Sequence, residues 1–148
     1  MLVRTAASAA DVERVCATSS AIFGTDVEDE THGLPAWRSR VETMGGRIYF
    51  VEGSDGAVLG FVFVHDHATR PKTTHIWIAG THPSARRSGI MRHLFQHCRN
   101  ECASQDFLTV NTYPDKFPNM PPFLAVLGYN RIDIEGDKHC YALALHGE

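Results

Sequence analysis

The sequence predicts an α/β fold in which helices cover a mixed sheet of parallel and antiparallel strands (an α+β-type sheet). Stretches with helical periodicity alternate with short runs of β-branched and aromatic residues, which indicates helices interspersed with strands. The run 57–65 is apolar at most positions, which is typical of a central strand covered on both faces. With 148 residues, 43% apolar and 21% charged, the chain has the size and composition of one folded domain.

We expect the element order β-α-α-β-β-β-α-β-α-β-β in a single domain spanning residues 1–148. Asp11 is the predicted N-cap of the first helix, and Gly24 is its predicted end. Pro35 is compatible with the start of the second helix. The predicted helices are 10–23, 35–44, 89–103 and 123–127, and the predicted strands are 2–5, 47–52, 57–65, 74–81, 107–112, 131–135 and 139–145.

Composition and charge argue against several functional classes. The formal charge is −3, from 14 Lys and Arg against 17 Asp and Glu, so we expect no nucleic-acid partner. No apolar run approaches the roughly 20 residues that span a bilayer, so we expect no membrane association. The N-terminus resembles no secretory signal, and the four cysteines do not form a disulfide framework. We therefore expect a cytoplasmic protein with reduced thiols.

Nine histidines raise the question of a metal ion. His93 and His97 are four residues apart on a predicted helix, a spacing that can place two imidazoles on one face. No acidic third ligand follows them at H-E-x-x-H spacing. We therefore predict no metal site.

A phosphate-binding site is predicted where the strand 74–81 leads into the helix 89–103. The intervening turn is rich in Arg, Ser and Gly, and a helix entry of this kind presents unpaired N–H groups and the positive end of the helix dipole. Arg86 and Arg87 add charge suited to phosphate oxygens, and Gly89 allows close backbone approach. The alternative is a solvated basic turn. The P-loop and G-x-G-x-x-G patterns are both absent from the sequence.

Two segments carry a resemblance to a known family. Arg86-Arg-Ser-Gly89-Ile-Met91 resembles the pattern [Q/R]-x-x-G-x-[G/A] of the GNAT superfamily, the acetyl-CoA-dependent N-acetyltransferases, with Met91 where Gly or Ala is usual. Phe123-Leu-Ala-Val-Leu127-Gly128-Tyr129 is similar to the second family motif, F-Y-x-x-L-G-F. The order of elements matches the family over essentially the whole chain. The resemblance implies a central sheet that splays apart and acetyl-CoA as co-substrate.

The resemblance also implies where the cofactor binds. The backbone of residues 79–81 would pair with the pantetheine arm, and the amides of residues 87–91 would surround the pyrophosphate. Asn119 lies about two residues from where the family often places an asparagine that bonds the pantetheine. The cofactor-binding residues implied are Ala79, Gly80, Thr81, Arg86, Arg87, Ser88, Gly89, Ile90, Met91 and Asn119.

For catalysis, the resemblance implies direct attack of an amine on the thioester. His75 is the candidate base, at the position of a catalytic Glu in the histone-acetylating branch and, by two-residue alternation, on the strand face of Trp77, Ala79 and Thr81. A histidine bonded only to its neighbours is the alternative, and His65, Asp66 and His67 compete for the role. The family's tyrosine acid is replaced by Leu124, and Tyr113 is the nearest substitute in the sequence.

The family's acceptor pocket is usually lined by the loop between the first two helices. Here that loop carries Asp26, Glu28 and Glu30, which could attract a cationic amine. Trp37 is a further candidate for the pocket. The alternatives are a solvated acidic loop and a core aromatic. The predicted acceptor is an amine of unidentified structure, either a small molecule or a peptide.

Three functional interpretations remain open at this level. The leading one is a catalytic N-acetyltransferase. Leu124 and Met91 favour a non-catalytic module that binds or senses acetyl-CoA, and an interaction domain that has lost the cofactor is the third. Because dimers are frequent in the family, a homodimer also stays open.

Overall fold

A seven-stranded mixed sheet organises the computed structural model, which describes residues 1–146. Its spatial order is β1-β2-β3-β4-β5-β7-β6, and β4 with β5 is the one parallel pair among the described strands. The predicted α/β class and element order are confirmed. The strands are β1 Arg4–Thr5, β2 Arg47–Glu52, β3 Val58–Asp66, β4 Thr73–Thr81, β5 Phe107–Thr112, β6 Asn130–Glu135 and β7 Lys138–Ala144.

Four α-helices accompany the sheet: α1 Ala9–Phe23, α2 Leu34–Thr43, α3 Ile90–Glu101 and α4 Met120–Val126. The prediction that Asp11 caps α1 is wrong. The N-cap is Ser8, three residues earlier, whose side chain accepts a hydrogen bond from the Asp11 amide, and the helix begins at Ala9. Asp11 bonds back to the amide of Ala7 at 3.2 Å. Gly24 ends the helix as predicted, with φ 68° in the left-handed region.

Two hydrophobic cores lie on opposite faces of the sheet. On one face, α3 and α4 cover β2 to β5 through Ile90, Leu94, Phe95 and Leu124. On the other face, α1 and α2 pack on β2 and β3 in a core that contains Val15, Trp37, Phe50, Phe61 and Phe63. Strand β3 is buried on both faces, in agreement with its nearly continuous apolar sequence.

Strands β4 and β5 separate beyond their first few residues. Their parallel pairing joins residues 73–76 to residues 107–110 and then stops, while β4 continues to Thr81 beside β3. The rest of β4 therefore has a free backbone edge on the β5 side, which is the splay that the family resemblance implied.

A β-bulge at Trp77 changes which way the β4 side chains point. Phe63 pairs with Ile78 while Val64 pairs with Ile76, so one extra residue is accommodated between them. Trp77 and Ile78 consequently both pack in the α1–α2 core, and Ala79 packs against the α3–α4 core. The prediction that Ala79 shares a face with Trp77 is wrong for this reason.

Within residues 1–146, no helix combines the length and apolarity needed to cross a membrane. The four cysteines are free thiols; Cys16, Cys98 and Cys102 are buried, and Cys140 is half-buried.

Leu94→Ala is expected to lower the free energy of unfolding by about 3 kcal/mol, because Leu94 is fully buried between α3 and the sheet and truncation leaves a cavity. The matched control is Gln96→Ala, an exposed position on the same helix, with an expected change within about 0.5 kcal/mol. Urea unfolding followed by circular dichroism measures both. Equal effects in the two variants would contradict the packing described for α3.

Candidate active site

The turn between β4 and α3 has the local geometry of an anion site. A short 3-10 turn, Pro83–Ala85, follows β4, and the His82 Nδ1 atom accepts a hydrogen bond from the Ser84 amide at 3.2 Å. Gly89 then takes φ 81°, a left-handed conformation that glycine adopts without steric cost, and α3 begins at the next residue. The glycine of the predicted motif is thus required by the sharp entry into the helix.

The N-terminus of α3 is open to a ligand. No side chain caps it, so its first amides and the positive end of the helix dipole face outward. Arg86 and Arg87 are exposed, and neither has a carboxylate within ion-pair distance among residues 1–146. Met91 packs against the α3–α4 core, which directs its side chain away from this site. The arrangement can hold a phosphate or pyrophosphate.

The free edge of β4 runs from the point of separation to this anion site. The free edge of β4 includes Ala79, Gly80 and Thr81, the residues predicted to pair with pantetheine. A Cβ atom on Gly80 would lie 3.2 Å from two ring atoms of Phe23, so the ring packs directly on the strand backbone. Phe23 also contacts Phe117 edge to face, with ring centroids 6.1 Å apart. This aromatic pair joins the end of α1 to the loop after β5, and sequence reasoning did not identify it.

Asn119 and Tyr113 both lie on the segment that leads from β5 into α4. Asn119 is the N-cap residue of α4 and is exposed, and its side chain makes no capping hydrogen bond. Tyr113 follows β5 directly and is 44% exposed, so its hydroxyl is accessible. Leu124, at the family's tyrosine position, is fully buried in the α3–α4 core.

His75 lies on β4 beside the point where the strands separate. Its Nδ1 atom is 2.7 Å from the Thr109 hydroxyl oxygen on β5. The rings of His65 and His67 are centred 5.5 and 5.8 Å from its own. Burial, followed by the positive charges nearby, lowers the pKa of His75 to about 3. The ring is therefore neutral near pH 7. This lowered pKa is well below the ordinary value of about 6.5, on which the choice of His75 as the candidate base depended.

The competing residues already have partners. His65 is 3% exposed; its Nδ1 atom donates to the Asp66 carbonyl at 2.8 Å, and its Nε2 atom accepts from Arg40 at 2.9 Å. Burial lowers the pKa of His65 as well. Asp66 is exposed and lies 3.6 Å from the Arg47 guanidinium. The Nδ1 atom of His67 accepts from the amides of Thr69 and Arg70, which leaves its Nε2 atom available.

Arg40 is a site residue that the sequence analysis missed. Its guanidinium lies over the Trp77 ring at 3.8 Å from the centroid, in addition to its bond to His65. No spacing rule links a residue on α2 to partners on β3 and β4. The only signal in the sequence was an arginine near the end of a predicted helix.

Trp37 and the acidic loop lie elsewhere. Trp37 is fully buried against Phe61, Phe63 and Trp77, so it belongs to the core, and the prediction that it lines the acceptor pocket is not supported. The loop 24–33 is compact, with the Gly33 amide bonded to the Asp29 carbonyl at 2.8 Å. Asp26, Glu28 and Glu30 are exposed on it and do not line the cleft that contains His75.

That cleft has a volume of about 430 Å³ and extends over the sheet face that α1 and α2 leave uncovered. His75 and Thr109 form its floor, the β3–β4 connection forms one side, and the β6–β7 hairpin forms the other. The residues that line it include His67, Thr69, Arg70, His75, Thr109, Asn111, Asp133, Glu135, Lys138 and Cys140. It has the size of a small-molecule pocket.

His93 and His97, whose spacing raised the question of a metal ion, have different surroundings. Across residues 1–146, no group of three or more His, Cys, Asp or Glu is placed to hold a metal ion. The His97 ring, on the side of α3 that faces the sheet, packs edge to face on Tyr49, with ring centroids 4.7 Å apart. His93 is exposed.

Comparison with known proteins places this geometry in context. The sequence model of the acetyltransferase (GNAT) family matches residues 13–129. A comparison with curated protein sequences gives no match. Among solved structures, a protein assigned to the GNAT family from Desulfovibrio desulfuricans has a TM-score of 0.78 at 16% identity, over 98% of this chain and 99% of that one.

Two further structures share the fold at low identity. An aminoglycoside 6′-N-acetyltransferase complexed with coenzyme A has a TM-score of 0.73 at 11% identity, over 100% of this chain and 99% of that one. The ribosomal-protein-S18-alanine N-acetyltransferase of Escherichia coli has a TM-score of 0.72 at 12% identity, over 99% and 96%. The family match covers most of the sequence, and the fold agrees over nearly the whole chain. We conclude that this chain belongs to the GNAT family of acetyltransferases.

Proposed function

We propose that the protein transfers an acetyl group from acetyl-CoA to a primary amine by direct attack on the thioester. Family membership gives acyl transfer in general. The observation that supports acetyl-CoA is the uncapped N-terminus of α3, with Arg86 and Arg87, placed next to the free edge of β4. The helix N-terminus suits a pyrophosphate, and the free strand edge suits an amide-bearing arm that hydrogen-bonds to it as a neighbouring strand would. A relative of the same fold is complexed with coenzyme A.

In this proposal the acetyl group reaches His75 through the splay. An alkyl ammonium holds its proton to a pKa of about 10.4, so a proton must leave the nitrogen for attack to occur. The neutral ring of His75 accepts that proton, directly or through a water molecule. The nitrogen then bonds to the carbonyl carbon, and a β4 amide in residues 79–81 stabilises the oxyanion.

Collapse of the tetrahedral intermediate breaks the bond between carbon and sulfur. The sulfur leaves as the CoA thiolate, and Tyr113 is the candidate that protonates it. A thiol with a pKa of about 8.5 is already a fair leaving group near neutral pH, so buried Leu124 at the usual tyrosine position is compatible with turnover. His67, with its free Nε2 atom, is the competing base.

The second candidate is a module that binds acetyl-CoA without catalysis. It is favoured by Leu124, which offers no acid, and by the lowered pKa of His75, which makes the ring a weak base. Both candidates predict that the protein binds acetyl-CoA. Only the enzyme is expected to release CoA when an amine is present.

Arg86→Ala and Gly89→Asp are expected to weaken acetyl-CoA binding about tenfold or more. The first removes a charge-assisted contact, and the second adds a negative charge in a left-handed backbone position at the anion site. Isothermal titration calorimetry measures the affinity, and release of CoA measures activity. Arg99→Ala, at an exposed position in the last turn of α3, is the control. Unchanged binding in both site variants would remove the α3 N-terminus from the cofactor site.

His75→Gln is expected to lower kcat about 100-fold with little change in acetyl-CoA affinity, because an amide keeps a polar contact to Thr109 and cannot act as a base. With a pKa of about 3, His75 does not titrate between pH 5 and 9. Any change of kcat with pH in that range therefore comes from another group and should persist in the variant. His67→Gln is the comparison. A larger loss in H67Q than in H75Q would transfer the role of base to His67.

His75 also makes stability depend on pH. Its pKa is about 3 when folded and about 6.5 when unfolded, so the unfolded chain binds more protons between these values. The free energy of unfolding therefore falls as pH drops below about 6.5, at up to about 1.4 kcal/mol per pH unit for one such group. Urea unfolding from pH 7 to pH 4 should show a shallower fall in H75Q than in the parent. Parallel curves would show that burial of this ring does not lower its pKa.

A further inference from the structure

Arg40 is held in place without a counterion. Its guanidinium lies flat over Trp77, and its Nη1 atom donates to His65, a neutral partner. Among residues 1–146, no carboxylate lies within ion-pair distance of Arg40, and its Nε and Nη2 atoms make no hydrogen bond. The side chain is half-buried, and burial lowers its pKa. An arginine fixed in this way presents free donors in the fork geometry that suits carboxylate and phosphate.

Two arginines without ion-pair partners lie near His75. Arg40 approaches from α2, and Arg70, which has no ion-pair partner in the described chain, is among the residues that line the cleft. Lys138 also lines the cleft, but Glu135 lies 3.6 Å from it and offsets its charge.

Two carboxylates also line the cleft. Glu135 lies 3.6 Å from Lys138 and accepts from the Cys140 thiol at 3.5 Å. Asp133 accepts from the Ile134 amide at 2.8 Å and has no ion-pair partner among residues 1–146. The lining therefore has as many carboxylates as cations, and Arg40 is the cation beside it that no carboxylate offsets.

We infer that the acceptor is a small amine that also carries an anionic group, a carboxylate or a phosphate, bound by Arg40 while the amine lies at His75. This inference rests on the proposed acetyl transfer. His65 connects the two positions: it is bonded to Arg40 and its ring is 5.5 Å from that of His75. The anion and the amine would therefore be bound by neighbouring side chains, Arg40 from α2 and His75 from β4, on the same side of the sheet. An acceptor of metabolite size reaches both.

The test compares matched acceptors with the purified protein and acetyl-CoA. Each L-amino acid is paired with its carboxamide, phosphoethanolamine is paired with ethanolamine, and 1,5-diaminopentane represents a cationic acceptor. Release of CoA gives kcat/KM, corrected for the fraction of free amine. We expect the anionic member of at least one pair to exceed its neutral partner by about 10- to 100-fold, the range for a charge-assisted contact. The pair that shows the difference distinguishes carboxylate from phosphate.

Arg40→Gln is then expected to raise KM for the anionic member of the pair, so that the anionic and neutral members react with similar kcat/KM. Arg40→Lys, which keeps the charge and loses the fork, should retain part of the preference. Arg38→Gln is the matched control, because Arg38 is exposed on the same helix and pairs with Glu13. Should Arg40→Gln fail to fold, the comparison of acceptors with the parent protein decides alone.

Other results overturn the inference in different ways. If the neutral or cationic amines are acetylated with the same kcat/KM as the anionic ones, the inference of an anionic acceptor is wrong, and the proposed acetyl transfer stands. If calorimetry shows acetyl-CoA binding and no amine in the panel releases CoA, acetyl transfer fails and the inference fails with it. A preference for anionic amines that survives in R40Q would remove Arg40 from the acceptor site.

Discussion

The separation of β4 from β5 is the constraint on which the rest of the site depends. Parallel pairing holds residues 73–76 to residues 107–110, and from Trp77 onward β4 is bonded only to β3. Unpaired backbone groups inside a sheet are costly unless water or a ligand satisfies them. The bulge at Trp77 lies at the same point and changes the face of the sheet to which the following side chains of β4 point. A sheet that stayed closed would leave no path between the two faces.

In the proposed reaction, each face of the sheet contributes a different part of the chemistry. On the α3 side, an uncapped helix N-terminus and exposed arginines form a site for an anion. On the α1–α2 side, burial keeps His65 and His75 neutral and fixes their hydrogen bonds. The splay lies between these environments. A donor held on one face and an acceptor held on the other can meet there without either occupying the other's site.

The comparisons show that this fold tolerates wide changes in sequence. Three solved acetyltransferase structures share it at 11–16% identity, so the fold is kept while most side chains change. The names of two of them show how far acceptors differ, because one acts on an aminoglycoside and the other on an alanine of a ribosomal protein. Acceptor recognition in this chain therefore has to be argued from its own residues, such as Arg40 and His75.

Features that depend on local spacing were predictable from the amino-acid sequence. Gly89 takes a left-handed φ at the entry to α3, and Arg86 precedes it by three residues, so the candidate anion site follows from one contiguous segment. The family resemblance needed that segment and a second short motif at residues 123–129. The fold class also follows, because hydrophobic periodicity is a local property. Leu124 was recognised in the same way, as a residue of a short motif.

Contacts between residues that are far apart in the sequence became visible only in the folded chain. Arg40 lies 25 positions from His65 in the sequence and bonds to it across α2 and β3. Trp37, on the same helix, is turned into the core, so two nearby positions have opposite roles. The bulge at Trp77 broke the alternation that placed Ala79 beside it, and burial moved the pKa of His75 far from its ordinary value. These outcomes depend on packing between elements, which spacing along the chain does not record.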